Sequence, residues 1–221
     1  IGGDWPVGIS SEGILYAWES SGLNLPSPPP GTVCVEVASG DGHGVVRFSD
    51  GSLSVFGSLD GHERIPELVP GTSYVELSGY AHDIGARVGP TSTYVTTAPG
   101  CAGTRPAARL VPLDTPGIDK VHEVNILDLP QNAAIMVFGW QATAPQPLGA
   151  IGMPGCSRHI TADAAALVVG QNGWATYRLP IPNWPALVGV HFHNQAIVLD
   201  PGANAAGAVA SDAAEGVIGH W

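Results

Sequence analysis

Glycine and proline punctuate this chain throughout, at 30 and 20 of its 221 residues, and interruptions that frequent break helices before they can propagate. Short alternating runs lie between the breaks. Val46, Phe48, Leu53 and Val55 alternate with Arg47, Ser52 and Ser54. That period of two buries one face of a strand and leaves the other, including Arg47, in water. Hydrophobic residues make up 44% of the chain and charged residues 12%, which suits short strands joined by turns. The expected class is all-β, with enough length for two modest domains that each bury a core.

Charge and missing motifs remove several function classes. The formal net charge is −11 and Lys120 is the single lysine, so no basic surface exists for a phosphate backbone and nucleic-acid binding is not expected. No run of eighteen apolar residues occurs, hence no transmembrane segment is expected. The chain starts at Ile1, and a removed signal peptide or an excised fragment would each explain that start. Gly-x-Ser-x-Gly, Walker-type, HExxH and strand-preceded GxGxxG patterns are absent, so neither a catalytic set nor a cofactor is expected.

An internal repeat organises the first hundred residues. GTVCVEVASG at 31–40 aligns with GTSYVELSGY at 71–80, and SEGILYAW at 11–18 with SDGSLSVF at 49–56. A period near forty marks one supersecondary unit used repeatedly. Glu12-Gly13 and Asp50-Gly51 sit between alternating runs and predict hairpin turns, because such turns need a positive φ that glycine accepts at low cost. Cys34, whose counterpart is Tyr74, reads as a small core residue, with an intermolecular bridge as the alternative.

The segment VEVASGDGHGVVRFSDGSLSVFG at 35–57 resembles the repeat of the regulator of chromosome condensation type of β-propeller. About two and a half such repeats are present, and Gly89-Pro90-Thr91 replaces the third acidic-Gly turn. A blade buries its faces only against neighbours, so the resemblance implies three outcomes. The repeats pack on the rest of the chain, complete themselves in an oligomer, or belong to a longer array.

From 98 to 219 the order PGC, PGC, LPIPNWPALVG, NQAIVLDPGANAAG and EGVIG resembles the C-terminal domain of secreted planctomycete and myxobacterial-type proteins. The resemblance implies an exported, antiparallel, jelly-roll-like β-sandwich over 98–221, preceded by a partial propeller-like repeat region over 1–97. It also points to a Cys101–Cys156 disulfide, which would close a loop worth roughly 4 kcal/mol in the chain-entropy model and place the protein in an oxidising compartment. Composition shifts near 96–110. Within the second half, 160–170 is Ala-rich and suits a short helix, whereas Val168 and Val169 suit a strand.

Candidate chemistry is sparse. His191 and His193 stand two apart on a predicted strand and project from one face, a spacing able to chelate zinc or copper with a third ligand such as His159, His122 or an acid. The competing reading treats both as packing residues in place of aromatics. His43 and His82 occupy similar repeat positions and are expected to pack within the blades. Asp60 with Glu63, or Asp119 with Glu123, are carboxylate pairs of the kind a glycosidase needs. The turns at 39–42 and 58–61 are acidic but poor in calcium-ligating oxygens. Of the tryptophans at 5, 18, 140, 174, 184 and 221, only Trp184 and Trp221 are expected to offer stacking faces to a polysaccharide.

These readings converge on a secreted or cell-surface structural or adhesive protein that acts by self-association as an oligomer or filament subunit. The alternative is a carbohydrate-binding or targeting module of a larger extracellular enzyme. A metal-dependent hydrolase built on His191 and His193 is the third reading.

Overall fold

The computed structural model describes residues 6–18, 23–40, 42–57, 65–80 and 83–220. Among them every regular element is a β-strand except two single 3-10 turns, at Gly149–Ile151 and Pro185–Leu187. β1 (Val7–Ile9) and β2 (Leu15–Ala17) form a hairpin. β3 (Cys34–Ser39), β4 (His43–Phe48) and β5 (Leu53–Gly57) form a three-stranded sheet, and β6 (Thr72–Tyr80) and β7 (Asp83–Pro90) a second hairpin. Then come β8 (Thr93–Ala98), β9 (Leu110–Pro112), β10 (Lys120–Ile126), β11 (Ala133–Gly139), β12 (Ala142–Pro147), β13 (Ser157–Ile160), β14 (Ala164–Val169), β15 (Ala175–Ile181), β16 (His191–Leu199) and β17 (Ala208–Val217).

The second half is an antiparallel sandwich. One sheet runs β14-β11-β16-β17-β8, the facing one β15-β10-β9, and β12 and β13 form a separate hairpin. Val124 and Ile126 from β10 meet Ala134 and Met136 from β11 and Phe192, Ala196 and Val198 from β16, all of them fully or almost fully buried. β16 is buried along most of its length because β13 covers its outer face, where Gln195 Nε2 donates to the Ser157 carbonyl at 3.0 Å. The ambiguous stretch at 160–170 holds a strand, β14, which pairs antiparallel with β11 from Ala133↔Val169 to Phe138↔Ala164 and turns Val168 into the core. Cys101 and Cys156 are bonded, with their Cα atoms 5.1 Å apart. Cys101 is further fixed by its N–H donating to the Ala210 carbonyl at 2.9 Å.

The repeat is visible as a repeated contact. Gly13 and Gly51 have φ of 71° and 79°, as the turn reading requires. Each also presses against the following repeat unit. A Cβ on Gly13 would lie 2.6 Å from Val33 Cβ, and one on Gly51 2.6 Å from Ser73 Cβ. Their carbonyls accept from the next residue in each case, Cys34 N–H at 3.0 Å and Tyr74 N–H at 3.4 Å. Glycine is therefore needed twice over at these turns, for its backbone angle and for its missing side chain.

Of the three outcomes open to an incomplete repeat array, packing on the rest of the chain is the one observed. Tyr94 N–H donates to the Ser49 carbonyl at 2.7 Å and Thr96 N–H to the Gly31 carbonyl at 3.0 Å, so the repeats sit against β8. β8 itself is hydrogen-bonded to β17 from Thr93↔Val217 to Ala98↔Ala213. The composition shift at 96–110 thus begins inside a strand of the sandwich. Asn125 Nδ2 also donates to the Ser11 carbonyl at 3.2 Å.

One expectation is corrected here. Arg47 does not face water: it is 1% exposed, with Nε 2.9 Å from Glu36 Oε2 and Nη2 2.7 Å from Asp114 Oδ1. Nη1 donates to Thr115 Oγ1 at 3.2 Å. Glu36 Oε1 in turn accepts the Leu77 N–H at 3.0 Å. The wet face of β4 is covered at Arg47 by the 114–115 segment, and each nitrogen of the guanidinium has a partner there, as buried charge requires.

Candidate functional site

β16 and β17 bring the predicted histidine pair together. Glu215 stands opposite His193 in the ladder, with Oε1 2.8 Å from His191 Nδ1 and 4.0 Å from His193 Nε2. His191 is exposed; His193 is buried, and its Nδ1 lacks a partner. Burial holds His193 below the ordinary histidine range, His191 adds to that shift, and Glu215 opposes both. No group of three or more His, Cys, Asp or Glu side chains among the described residues is placed to hold a metal. His159 donates its backbone N–H to Gln195 Oε1 at 3.0 Å. His122 packs on Phe192, which leaves β16 on the face opposite His193.

The histidine that stands among aromatics is His122, whose ring lies 4.9 Å from Tyr94 and 6.0 Å from Phe192. Neither nitrogen has a hydrogen-bond partner. Burial drives its pKa down to about 3, so it packs as a neutral ring. Tyr94 Oη donates to Asn194 Oδ1 at 3.2 Å. Asp212, at the irregular stretch of β17, accepts the Leu110 N–H at 2.8 Å and the Thr96 hydroxyl at 3.4 Å. Burial nevertheless pushes its pKa up to about 7, against those bonds and the Arg109 charge. These buried polar groups lie inside the sandwich, closed to substrate.

The remaining candidates separate. Glu123 is bound to Arg178 at 2.6 Å, and Asp119 sits at a turn with φ of 62°, so this pair acts in structure. Asp60, Glu63, His82, Trp5, Trp221, the whole of the turn at 58–61 and Asp41 of the turn at 39–42 lie outside the described residues. Cys34 is 1% exposed, packs with Val46, Phe48 and Phe56, and has its thiol pKa raised by burial, with a backbone hydrogen bond to Leu15 opposing. It is a core residue. Asp200, unremarked as a site residue, anchors the 98–110 segment by accepting the Thr104 N–H at 2.7 Å and hydroxyl at 2.8 Å. Its position before Pro201-Gly202 in the DPGAN sequence was the available signal.

The tryptophans require a second correction. Trp184 is 62% exposed as expected, but Trp18, Trp140 and Trp174 are exposed as well. Trp18 lies over Gly8, where an added Cβ would come within 3.0 Å of its ring. Trp140 meets Phe138 edge-on at 4.8 Å.

A contiguous run of exposed apolar side chains lies elsewhere, on the outer face of the five-stranded sheet. Leu167 and Val169 on β14 are each 68% exposed and Ile135 on β11 is 37% exposed. The register sets Leu167 beside Ile135 and Ile135 beside Ile197. An open depression of about 220 Å³ adjoins them, lined by Val137, Leu148, Ile151 and Ile197 with Arg158 at its polar side. The sequence signal for this face was the uncharged AAALVV run, which has no definite period. Set against protein-family models, curated proteins and solved structures, the chain matches none. No described helix is long and apolar enough to cross a membrane.

Proposed function

We propose that this protein is an exported structural module that acts by self-association at a cell surface or in the extracellular space. One observation carries the reading: the exposed apolar outer face around Leu167, Val169 and Ile135 on a chain whose formal charge is −11. Contiguous apolar surface of that kind serves association. The incomplete repeats add less to it, because Gly31, Ser49 and Arg47 already bond to the sandwich side of the same chain. The disulfide between Cys101 and Cys156 supports export, since such bonds persist in oxidising compartments. Size-exclusion chromatography with light scattering across a concentration series tests the reading. Reversible growth above 22.6 kDa is expected, and a monomer at every concentration would overturn it.

The exposed indoles of Trp184, Trp18, Trp140 and Trp174 favour a second reading, a carbohydrate-binding module, because an exposed ring face is what a sugar stacks on. Under it, polysaccharide pull-down succeeds and Trp184→Ala lowers retention about tenfold, the loss of a contact worth ~1.4 kcal/mol. Unchanged retention removes Trp184 from that role.

A further inference from the structure

The edges of the sandwich are unequally guarded. β8 is covered by the repeats through the Ser49 and Gly31 carbonyls. β9 is three residues long and ends in Pro112. β15 carries Arg178 and Pro180. Short length, proline and charge are the usual means of keeping an edge from pairing. β14 has none of them: its six residues, Ala164–Val169, are all apolar. It pairs with β11 alone, and among the described residues nothing covers its outer side.

We propose that this edge pairs with the same edge of a second copy, so that two five-stranded sheets become one continuous sheet across a two-fold axis. The inference rests on the self-association reading and names its surface. Gly170 N–H donates to the Asn132 carbonyl at 2.8 Å, so by ladder alternation the even-numbered residues face β11. Ala165, Leu167 and Val169 therefore turn their N–H and C=O groups outward. Antiparallel pairing of these odd positions with themselves places Leu167 on the axis, opposite its own copy, and sets Ala165 opposite Val169. The side chains of those residues form one apolar ladder on the outer face, joined to Ile135. The pairing stops at those residues, because Asp163 N–H donates to the Phe138 carbonyl at 2.9 Å and Gln171 is paired with Trp174, so no two like charges meet within it. Two copies that repel elsewhere through their net charge of −11 can approach along this uncharged strand. A two-fold axis is also the commonest way for a surface to complement itself.

The test uses the full chain in three forms. Leu167→Pro removes an outward N–H that the monomer does not use, so the fold is retained and the dimer is lost, a rise in dissociation constant of a hundredfold or more. Leu167→Cys gives an intermolecular disulfide in air, whereas Val121→Cys, on the exposed part of β10, gives none. Near-ultraviolet circular dichroism confirms folding of each variant, and Leu167→Lys replaces any that misfolds, setting two like charges on the axis. A wild-type dimer that survives Leu167→Pro and Leu167→Lys overturns the β14 interface and leaves self-association standing. A monomeric wild type overturns both.

Discussion

The sandwich and the repeat region are stabilised by different means. Among the described residues the sandwich encloses a cluster of 22 buried apolar residues and a disulfide, whereas the repeats hold a cluster of five, Leu15, Cys34, Val46, Phe48 and Phe56, with Ala38, Tyr74, Val75 and Leu77 buried outside it. The smaller core offsets less of the entropy of ordering its chain. What the repeats have instead is directed polar contact: Arg47 with Glu36 and Asp114, and backbone bonds from Tyr94 and Thr96. The repeats are therefore expected to draw part of their stability from the sandwich.

The largest expected effect concerns the sandwich. Replacing Cys101 and Cys156 by alanine frees a sequence separation of 55 residues and is expected to lower stability by about 4 kcal/mol, measured as the denaturant midpoint. Because the repeats depend on the sandwich, both regions should unfold together. Repeat amides that stay protected from hydrogen exchange while the sandwich opens would reverse the proposed dependence.

A pH effect of similar size lies wholly within the sandwich, where Asp212 and His122 are both buried. Asp212, raised to about 7, binds a proton more tightly folded than unfolded, so its contribution is complete below pH 4 and is lost as pH rises to 7. His122, lowered to about 3, does the reverse: its contribution is complete above pH 6.5 and is lost as pH falls to 3. Each amounts to roughly 4 kcal/mol across its window, and they largely cancel. The wild-type melting temperature should therefore be nearly flat between pH 4 and 7. Asp212→Asn should make it climb with pH, and His122→Phe should make it fall. Parallel curves for all three would show that neither group titrates as its burial requires.

The smallest effect is the most local. Arg47→Met leaves Glu36 without its cation and Asp114 with Lys120 alone, 3.9 Å away, and should cost about 2–3 kcal/mol, since both carboxylates keep some solvent. Exchange should quicken at Leu77 and through β3 to β6, with β16 unchanged. Equal quickening in β16 would mean that the two regions share one core after all.

Legibility followed the range of the interaction. The turns at Gly13 and Gly51 could be read from sequence because positive φ is a property of one residue, and their matching role followed from the repeat. Val46 and Phe48 were legible as core by alternation. Arg47 occupies the opposite phase of the same alternation and was misplaced, because its partner Asp114 is 67 residues away. Alternation says which side chains share a face and cannot say what covers that face. Trp18, Trp140 and Trp174 were misplaced by the converse error, since nothing local marks a face that stays bare. β14 was undecided because an Ala-rich run lacks contrast between its phases until β11 pairs with it.

By itself the sequence determined the all-β class, the repeat period, the hairpin turns and the cysteine spacing, each set by neighbours along the chain or by backbone geometry. The tertiary structure decided that the repeats dock on the sandwich, that Arg47 is buried, that His122 rather than His191 joins the aromatic core, and that one sheet edge is left open. Those outcomes depend on which surfaces meet, a sum over contacts distant in sequence that no local pattern records.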